Sequence, residues 1–264
     1  MDEANDGSNQ SQTKMSISTK TPLSDIAQAF EELSESLGSQ TKDQELPLDT
    51  FCEACSLVSV LFSCLGLAFK FAELEYVAKV HDLVEASKRF ATLENVLDLD
   101  VANDTVKTPG SHSRNLRRVR QGLDLIRALF EEFVSSEYDS ALCPSLFPFS
   151  FSFYHFAYYN EHNASLEMIS NSLVFFVPNC SCYSLRDAAS TAYAQVCAPY
   201  HTWTVRTAVS AGMYTLPTRE ELLIKLNETD DTAEKKMRRY IEASRPVIAY
   251  IDKLYISRNV TLDW

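Results

Sequence analysis

Residues 109–137, PGSHSRNLRRVRQGLDLIRALFEEFVSSE, decide the fold class of this chain. Apolar side chains recur three and four positions apart, which is the spacing of an α-helix that buries one face in a core. They are Leu116, Val119, Leu123, Ile126, Leu129, Phe130 and Phe133. Ser111 or a neighbour can cap this helix, because a serine hydroxyl accepts a hydrogen bond from a free backbone N–H. We therefore predict one long core helix.

The helical period continues on both sides of this stretch. Helices are predicted at about residues 22–38, 48–65, 67–90, 93–101 and 231–257, the last with Pro246 in its interior. A further helix should start near residue 187, and Pro199 should kink or restart it because proline donates no backbone hydrogen bond. Thr218 and Glu221 have the spacing of a capping box. The pattern predicts an all-α fold.

Two segments depart from this period. Residues 1–22 are mostly small and polar, which predicts a disordered tail, since they offer little apolar surface to offset the entropy of ordering. Residues 23–264 should form one domain, interrupted at about 141–183 by an aromatic segment with scarcely any charge that includes FPFSFSFYHFAYYNEH, 147–162. Its prolines and polar side chains argue against a transmembrane helix. An inserted loop and a translated retained intron both remain open.

Charge and composition exclude several function classes. The formal net charge of -12 repels phosphate backbones and argues against general nucleic-acid binding. The N-terminal residues lack secretory and organellar features, so we expect a soluble, cytoplasmic protein. The 7 cysteines fit reduced thiols, and Cys52 and Cys55, a CxxC inside an apolar run, fit buried core residues better than a zinc site. The sequence indicates no cofactor, no metal and no catalytic motif, so an enzyme is not expected.

Three polar groupings interrupt otherwise apolar helices. Glu75 and Lys79 are four residues apart, as are Arg114 and Arg118, and His201 is expected on a third helix. Taken singly, they are explained by a surface ion pair, a solvated helix face and a structural histidine. Side by side, the cations could hold a phosphate monoester while the carboxylate accepts from an amide N–H and the histidine bonds the amide carbonyl. Ceramide phosphate carries all of these groups.

At these residues the chain resembles the glycolipid transfer protein superfamily, and most closely its plant accelerated-cell-death branch, which transfers ceramide 1-phosphate and phytoceramide 1-phosphate. The resemblance runs from about residue 24 to the C-terminal LDW, apart from the segment near 141–183. It includes, in order, ACSLVSVLFSCLGLAFKFAE (54–73), YVAKV (76–80), GSHSRNL (110–116), YAQVCAP (193–199), AGMYTLPTR (211–219) and IDKLY (251–255).

The resemblance implies a two-layer helical sandwich of the glycolipid transfer protein type, which admits lipid chains between its layers. It assigns the amide-reading acid to Glu75, a partner lysine to Lys79, the phosphate arginines to Arg114 and Arg118, and the amide-reading histidine to His201. The family acid is usually aspartate, so the longer Glu75 side chain puts amide recognition in doubt. The sugar-carrying branch has tryptophan where this chain has Arg118, and arginine favours phosphate.

The function implied is carriage of ceramide 1-phosphate or phytoceramide 1-phosphate between membranes, with a role in sphingolipid balance and programmed cell death. Candidates to line the acyl pocket are Phe69, Phe71, Phe130, Phe133, Val205 and Met213, although each also suits an ordinary core. Membrane contact should be peripheral and transient, and protein partners in cell-death signalling are conceivable. A lipid sensor or adaptor that does not transfer, and an isoform inactivated by the insertion, stay open as alternatives.

Overall fold

A computed structural model describes residues 20–38, 45–66, 69–139 and 184–264. These ranges form helices α1 (Pro22–Gly38), α2 (Leu48–Cys64), α3 (Lys70–Ser87), α4 (Leu93–Ala102), α5 (His112–Asp139), α6 (Leu185–Val196), α7 (Trp203–Met213), α8 (Arg219–Leu226) and α9 (Asp230–Ser257). A short 3-10 turn, Ala198–Tyr200, lies between α6 and α7. The prediction of an all-α fold is confirmed. Most of the predicted tail and all of the predicted insertion lie outside the described residues.

Local capping chemistry sets the ends of several helices. The hydroxyl of Ser111 accepts from the backbone N–H of Arg114 at 3.2 Å, as expected for the cap of α5. Thr218 and Glu221 form the predicted capping box at the start of α8. Asn227 then ends α8 with φ 55, a left-handed conformation that asparagine tolerates better than most residues. The caps at Ser111 and Thr218 were predicted from the sequence because each involves residues only three positions apart.

The helices pack in a closed ring of contacts around one core. Helix α1 packs on α2 and α9, α2 on α3, α3 on α5, and α5 on α9, so that the ring is complete, while α6 covers a further side of α5. Tyr240 of α9 is fully buried in this core. Its ring makes edge contacts with Phe30 and Phe130, and its hydroxyl donates to the Leu123 carbonyl at 3.1 Å. Tyr240 thereby joins α9 to both α1 and α5.

A close approach between α3 and α5 depends on Gly122. A Cβ atom at this position would lie 2.7 Å from Cδ2 of Tyr76, closer than packed carbon atoms can come. The Tyr76 ring is buried, packs 5.0 Å from Phe62 between ring centroids, and its hydroxyl donates to the Cys55 carbonyl at 3.0 Å. The pair therefore sets the separation of the two helices that carry the acidic and basic candidate residues.

Some predicted boundaries differ from the observed ones. Thr21 is already buried, where Lys236 donates to its hydroxyl, so the folded part begins slightly before residue 23. The expectation that His201 stands on a helix is wrong. Helix α6 ends at Val196 and α7 begins at Trp203, because Pro199 has no N–H with which to continue the helical ladder. Helix α9, in contrast, runs through Pro246.

Candidate functional site

A cavity of about 980 Å³ lies between α3, α5, α6 and α7. All of the predicted head-group residues line it: Glu75, Lys79, Arg114, Arg118 and His201. Most of the remaining lining is apolar. The fold thus brings residues that are far apart in the sequence into one lipid-sized space.

Helix α3 supplies one acid and one base to this cavity. Glu75 and Lys79 stand one helical turn apart, and their charged atoms, Oε1 and Nζ, are 3.2 Å apart. The Glu75 side chain is 68% exposed and that of Lys79 is 26% exposed. The carboxylate therefore remains open to a ligand, and a pair this exposed contributes little to stability.

Helix α5 supplies the arginines from a single face. Nη1 of Arg114 donates to the Lys107 carbonyl at 2.7 Å, and its guanidinium lies 5.9 Å from the ring centroid of Trp264. Nη1 of Arg118 donates to Oε1 of Gln121 at 2.9 Å. Burial lowers the pKa of Arg118, and the like charges of Arg114 and Arg117 lower it further. This concentration of positive charge is unfavourable until an anion arrives.

His201 completes the polar end of the cavity. The hydroxyl of Tyr193 lies 2.9 Å from its Nδ1, and Nε of Arg206 donates to its backbone carbonyl at 2.9 Å. Burial lowers the pKa of His201, and Arg118 and Arg206 lower it further, so the ring is neutral at neutral pH. If Nδ1 accepts from the tyrosine hydroxyl, Nε2 carries the proton and can donate to a carbonyl oxygen.

The apolar candidates divide into two groups. Phe69, Phe71, Val205 and Met213 line the cavity, and Phe71 is 83% exposed at the same time. Phe130 and Phe133 lie outside the lining of this cavity and are buried in the core, where Phe130 packs on Tyr240. Helix α5 is apolar on more than one side, and its sequence does not distinguish the side that meets α9 from the side that meets the cavity.

Among the lining residues that were not anticipated from the sequence are Asn115, Tyr193 and Gln121. Asn115 and Gln121 are both buried although polar, and the Asn115 amide donates to Oδ2 of Asp82 at 2.8 Å. Buried polar side chains need partners, so they mark places where the local structure is specified. The spacing held a signal for Gln121, which follows Arg114 and Arg118 by seven and three residues and thus continues their helical face.

The cysteine in the cavity has the surroundings of an unreactive thiol. Cys197 is buried, and burial raises the pKa of its thiol to about 12, with a further contribution from Asp124. A thiol with this pKa stays protonated at neutral pH and reacts slowly. The cavity therefore offers hydrogen bonds and charge for binding, with an apolar volume beside them.

Among the described residues, no helix combines the length and the apolar character that crossing a membrane requires.

Comparison with known families and proteins finds matches over most of the chain. The family model described as glycolipid transfer protein matches residues 46–155 and 163–228. Two Arabidopsis thaliana proteins are similar over most of their length. One, named as a homolog of accelerated cell death 11, is 57% identical over 248 residues, 92% of this chain and 89% of that protein. The other, accelerated cell death 11, is 41% identical over 243 residues, 92% of this chain and 96% of that protein.

Solved structures of related proteins also match this chain. A variant of Arabidopsis accelerated-cell-death 11, complexed with ceramide-1-phosphate, matches with a TM-score of 0.73 at 39% identity, covering 93% of this chain and 100% of that one. Its apo form matches with a TM-score of 0.69. A human ceramide-1-phosphate transfer protein matches with a TM-score of 0.63 at 17% identity and covers 89% of this chain and 95% of that one, a likeness of fold. The two-layer helical sandwich expected from the sequence is thereby confirmed.

Proposed function

Because this chain belongs to the glycolipid transfer protein family, we propose that it carries ceramide 1-phosphate or phytoceramide 1-phosphate between membranes. The convergence of Lys79, Arg114 and Arg118 at one end of a largely apolar cavity carries this proposal. Arginine guanidinium groups bind phosphate oxygens in forked geometry, and lysine adds a point charge. A neutral sugar would leave these cations without an anion, so the site favours a phosphorylated head group.

The remaining polar groups match the amide of a ceramide. Glu75 can accept from the amide N–H, and His201 can donate from Nε2 to the amide carbonyl. The exposed Glu75 carboxylate can adjust its rotamer, which offsets the extra methylene that separates it from the aspartate usual in the family. The relative solved with bound ceramide-1-phosphate is 39% identical to this chain, which supports a ceramide phosphate as the ligand.

Entry of the lipid requires contact with a membrane, and exposed apolar side chains flank the cavity. Phe71 on α3 and Trp203 on α7 are 83% and 78% exposed, and Tyr214, directly after α7, is 70% exposed. Side chains of this kind partition into the interfacial region of a bilayer. The net charge of -12 disfavours anionic surfaces, so apolar contact carries the docking in this proposal, and docking is transient.

The proposal includes carriage of lipid in the cytoplasm without making or breaking bonds. The names of the similar Arabidopsis proteins support a role in programmed cell death, and the ceramide-1-phosphate complex of one similar structure supports a role in sphingolipid balance. Protein partners in cell-death signalling would then sense or use the loaded carrier.

Transfer of fluorescent ceramide 1-phosphate between vesicles tests the proposal. A glycosylceramide and a phosphoglyceride with matched acyl chains serve as parallel cargoes. Selective transfer of the phosphorylated ceramide is the expected result. Tight binding of this lipid without transfer would favour a sensor or adaptor, and a folded chain that binds none of the cargoes would contradict the proposal.

A further inference from the structure

The arginines of α5 fall into two sets according to their partners. Arg120 and Arg127 donate to carboxylates: Arg120 to Asp252 and Asp124, with N–O distances of 2.5 to 2.8 Å, and Arg127 to Asp124 and Glu131. Arg114, Arg117 and Arg118 donate to neutral oxygens, namely the carbonyls of Lys107 and Leu262 and the amide of Gln121. In the part of the chain that the structure describes, none of these three has an ion-pair partner.

This division has an electrostatic consequence. A carboxylate partner cancels the charge of a guanidinium, whereas an amide oxygen orients it and leaves its charge available. Arg118 lies in the cavity, so its uncancelled charge faces the proposed phosphate.

We propose that Gln121 is the positioning residue that aims Arg118 into the cavity and ties it to the segment that carries His201. This inference rests on the proposed function. The Gln121 side chain is held at both ends, because Oε1 accepts from Arg118 at 2.9 Å and Nε2 donates to the Val196 carbonyl at 3.1 Å. A guanidinium only donates and a carbonyl only accepts, which determines the orientation of the amide.

The Val196 carbonyl, which accepts from Gln121, lies at the end of α6. Val196 is the last residue of α6, where backbone carbonyls have no donor within the helix, so Gln121 satisfies an otherwise free acceptor. The chain then passes through Cys197 and the 3-10 turn to His201. One buried amide thus connects the phosphate side of the head-group site to the amide side, and its burial excludes water that would compete for both hydrogen bonds.

Two substitutions of similar size separate positioning from simple packing. Gln121→Met removes both hydrogen bonds and leaves Arg118 charged but free to turn away. Gln121→Glu keeps the shape and an acceptor for Arg118 but cancels its charge and sets an oxygen against the Val196 carbonyl. A packing role predicts that glutamate, the closer mimic of glutamine, is the milder change. Our proposal predicts the reverse order for phosphate recognition.

The test measures the affinity of the wild-type chain and both variants for ceramide 1-phosphate and for unphosphorylated ceramide of the same chain length. We expect Gln121→Met to lose about tenfold in affinity for the phosphorylated lipid and Gln121→Glu to lose more. Both should stay within about threefold of wild type for ceramide. Thermal unfolding by circular dichroism verifies that each variant is folded.

The outcomes distinguish this inference from the proposed function. Equal losses for both lipids, or a Gln121→Glu variant that binds the phosphorylated lipid as well as wild type, would overturn the positioning role while the wild-type preference for phosphate stands. A wild-type chain without that preference would overturn the proposed function, and this inference with it.

Discussion

The hydroxyl of Tyr193 lies 2.9 Å from Nδ1 of His201, and both side chains line the cavity. Burial lowers the pKa of His201, with smaller contributions from Arg118 and Arg206, so the folded chain resists protonation of this ring. The unfolded chain protonates it as the pH falls below about 6.5, the usual pKa of histidine. The unfolded state then binds more protons, and acidification through this range should lower the free energy of unfolding.

A variant isolates the contribution of this one histidine. Since His201→Gln does not titrate, its stability relative to wild type should rise as the pH falls from about 7 to about 5.5. Urea unfolding at several pH values measures this difference. A difference that stays constant across the range would mean that His201 titrates alike in the folded and unfolded states.

Arg118→Leu and Arg120→Leu should have opposite effects although they lie two residues apart. Among the described residues, Arg118 bonds to a neutral partner and lies beside like charges. Relief of this repulsion offsets the lost bond to Gln121, so removal of Arg118 should leave the free energy of unfolding nearly unchanged. It should lower the affinity for ceramide 1-phosphate at least tenfold, because a charge-assisted hydrogen bond to phosphate contributes about 1.5 to 3 kcal/mol.

Arg120→Leu is the matched control. It leaves Asp124 and Asp252 without their shared cation, which should cost about 2 kcal/mol of unfolding free energy in these partly buried surroundings. The variant should keep its preference for phosphorylated ceramide over ceramide. Urea unfolding and lipid binding on the same preparations measure both quantities, and normal ceramide 1-phosphate transfer by Arg118→Leu would contradict the assignment of the phosphate site.

Gly122→Ala should destabilise the fold even though alanine is the better helix former. The added Cβ would meet Cδ2 of Tyr76 at 2.7 Å, and the buried ring, held by its bond to the Cys55 carbonyl, has little room to move. Overpacking of this kind costs about 1 to 3 kcal/mol. Gly38→Ala is the control, because its Cβ would meet no atom within 4 Å. Equal stability of the two variants would show that Tyr76 can yield.

Much of the fold could be predicted because its signals are local. The apolar period of α5, the Ser111 cap and the capping box at Thr218 each involve residues within a few positions of one another. The position of His201 could not be predicted from local signals alone. Pro199 permitted either a kinked helix or a restart, and the observed turn places the ring beside Tyr193.

The charged residues of the site could be predicted because they form pairs at helical spacing. The family resemblance then indicated that the pairs belong to one site. The apolar lining was harder to predict. Phe130 and Met213 are buried to nearly the same extent, yet of these two only Met213 borders the cavity. Hydrophobicity alone does not distinguish a residue that lines the cavity from one that packs in the core. Gln121 was missed because its second partner, the Val196 carbonyl, is brought to it only when α5 and α6 pack together, although its spacing of three from Arg118 was present in the sequence.

Membrane docking should depend on Trp203 separately from lipid recognition. This side chain is 78% exposed on α7, close to the cavity but outside its lining, so truncation removes apolar surface without altering the head-group site. We expect Trp203→Ala to lower vesicle binding about tenfold or more and to slow ceramide 1-phosphate transfer, since burial of a large side chain in the bilayer interface contributes about 1.5 to 3 kcal/mol. Affinity for a short-chain ceramide 1-phosphate in solution should not change. Ile256→Ala, at a 62% exposed position near the end of α9, is the control and should transfer normally. Equal slowing by both substitutions would indicate that docking uses no particular face of the protein.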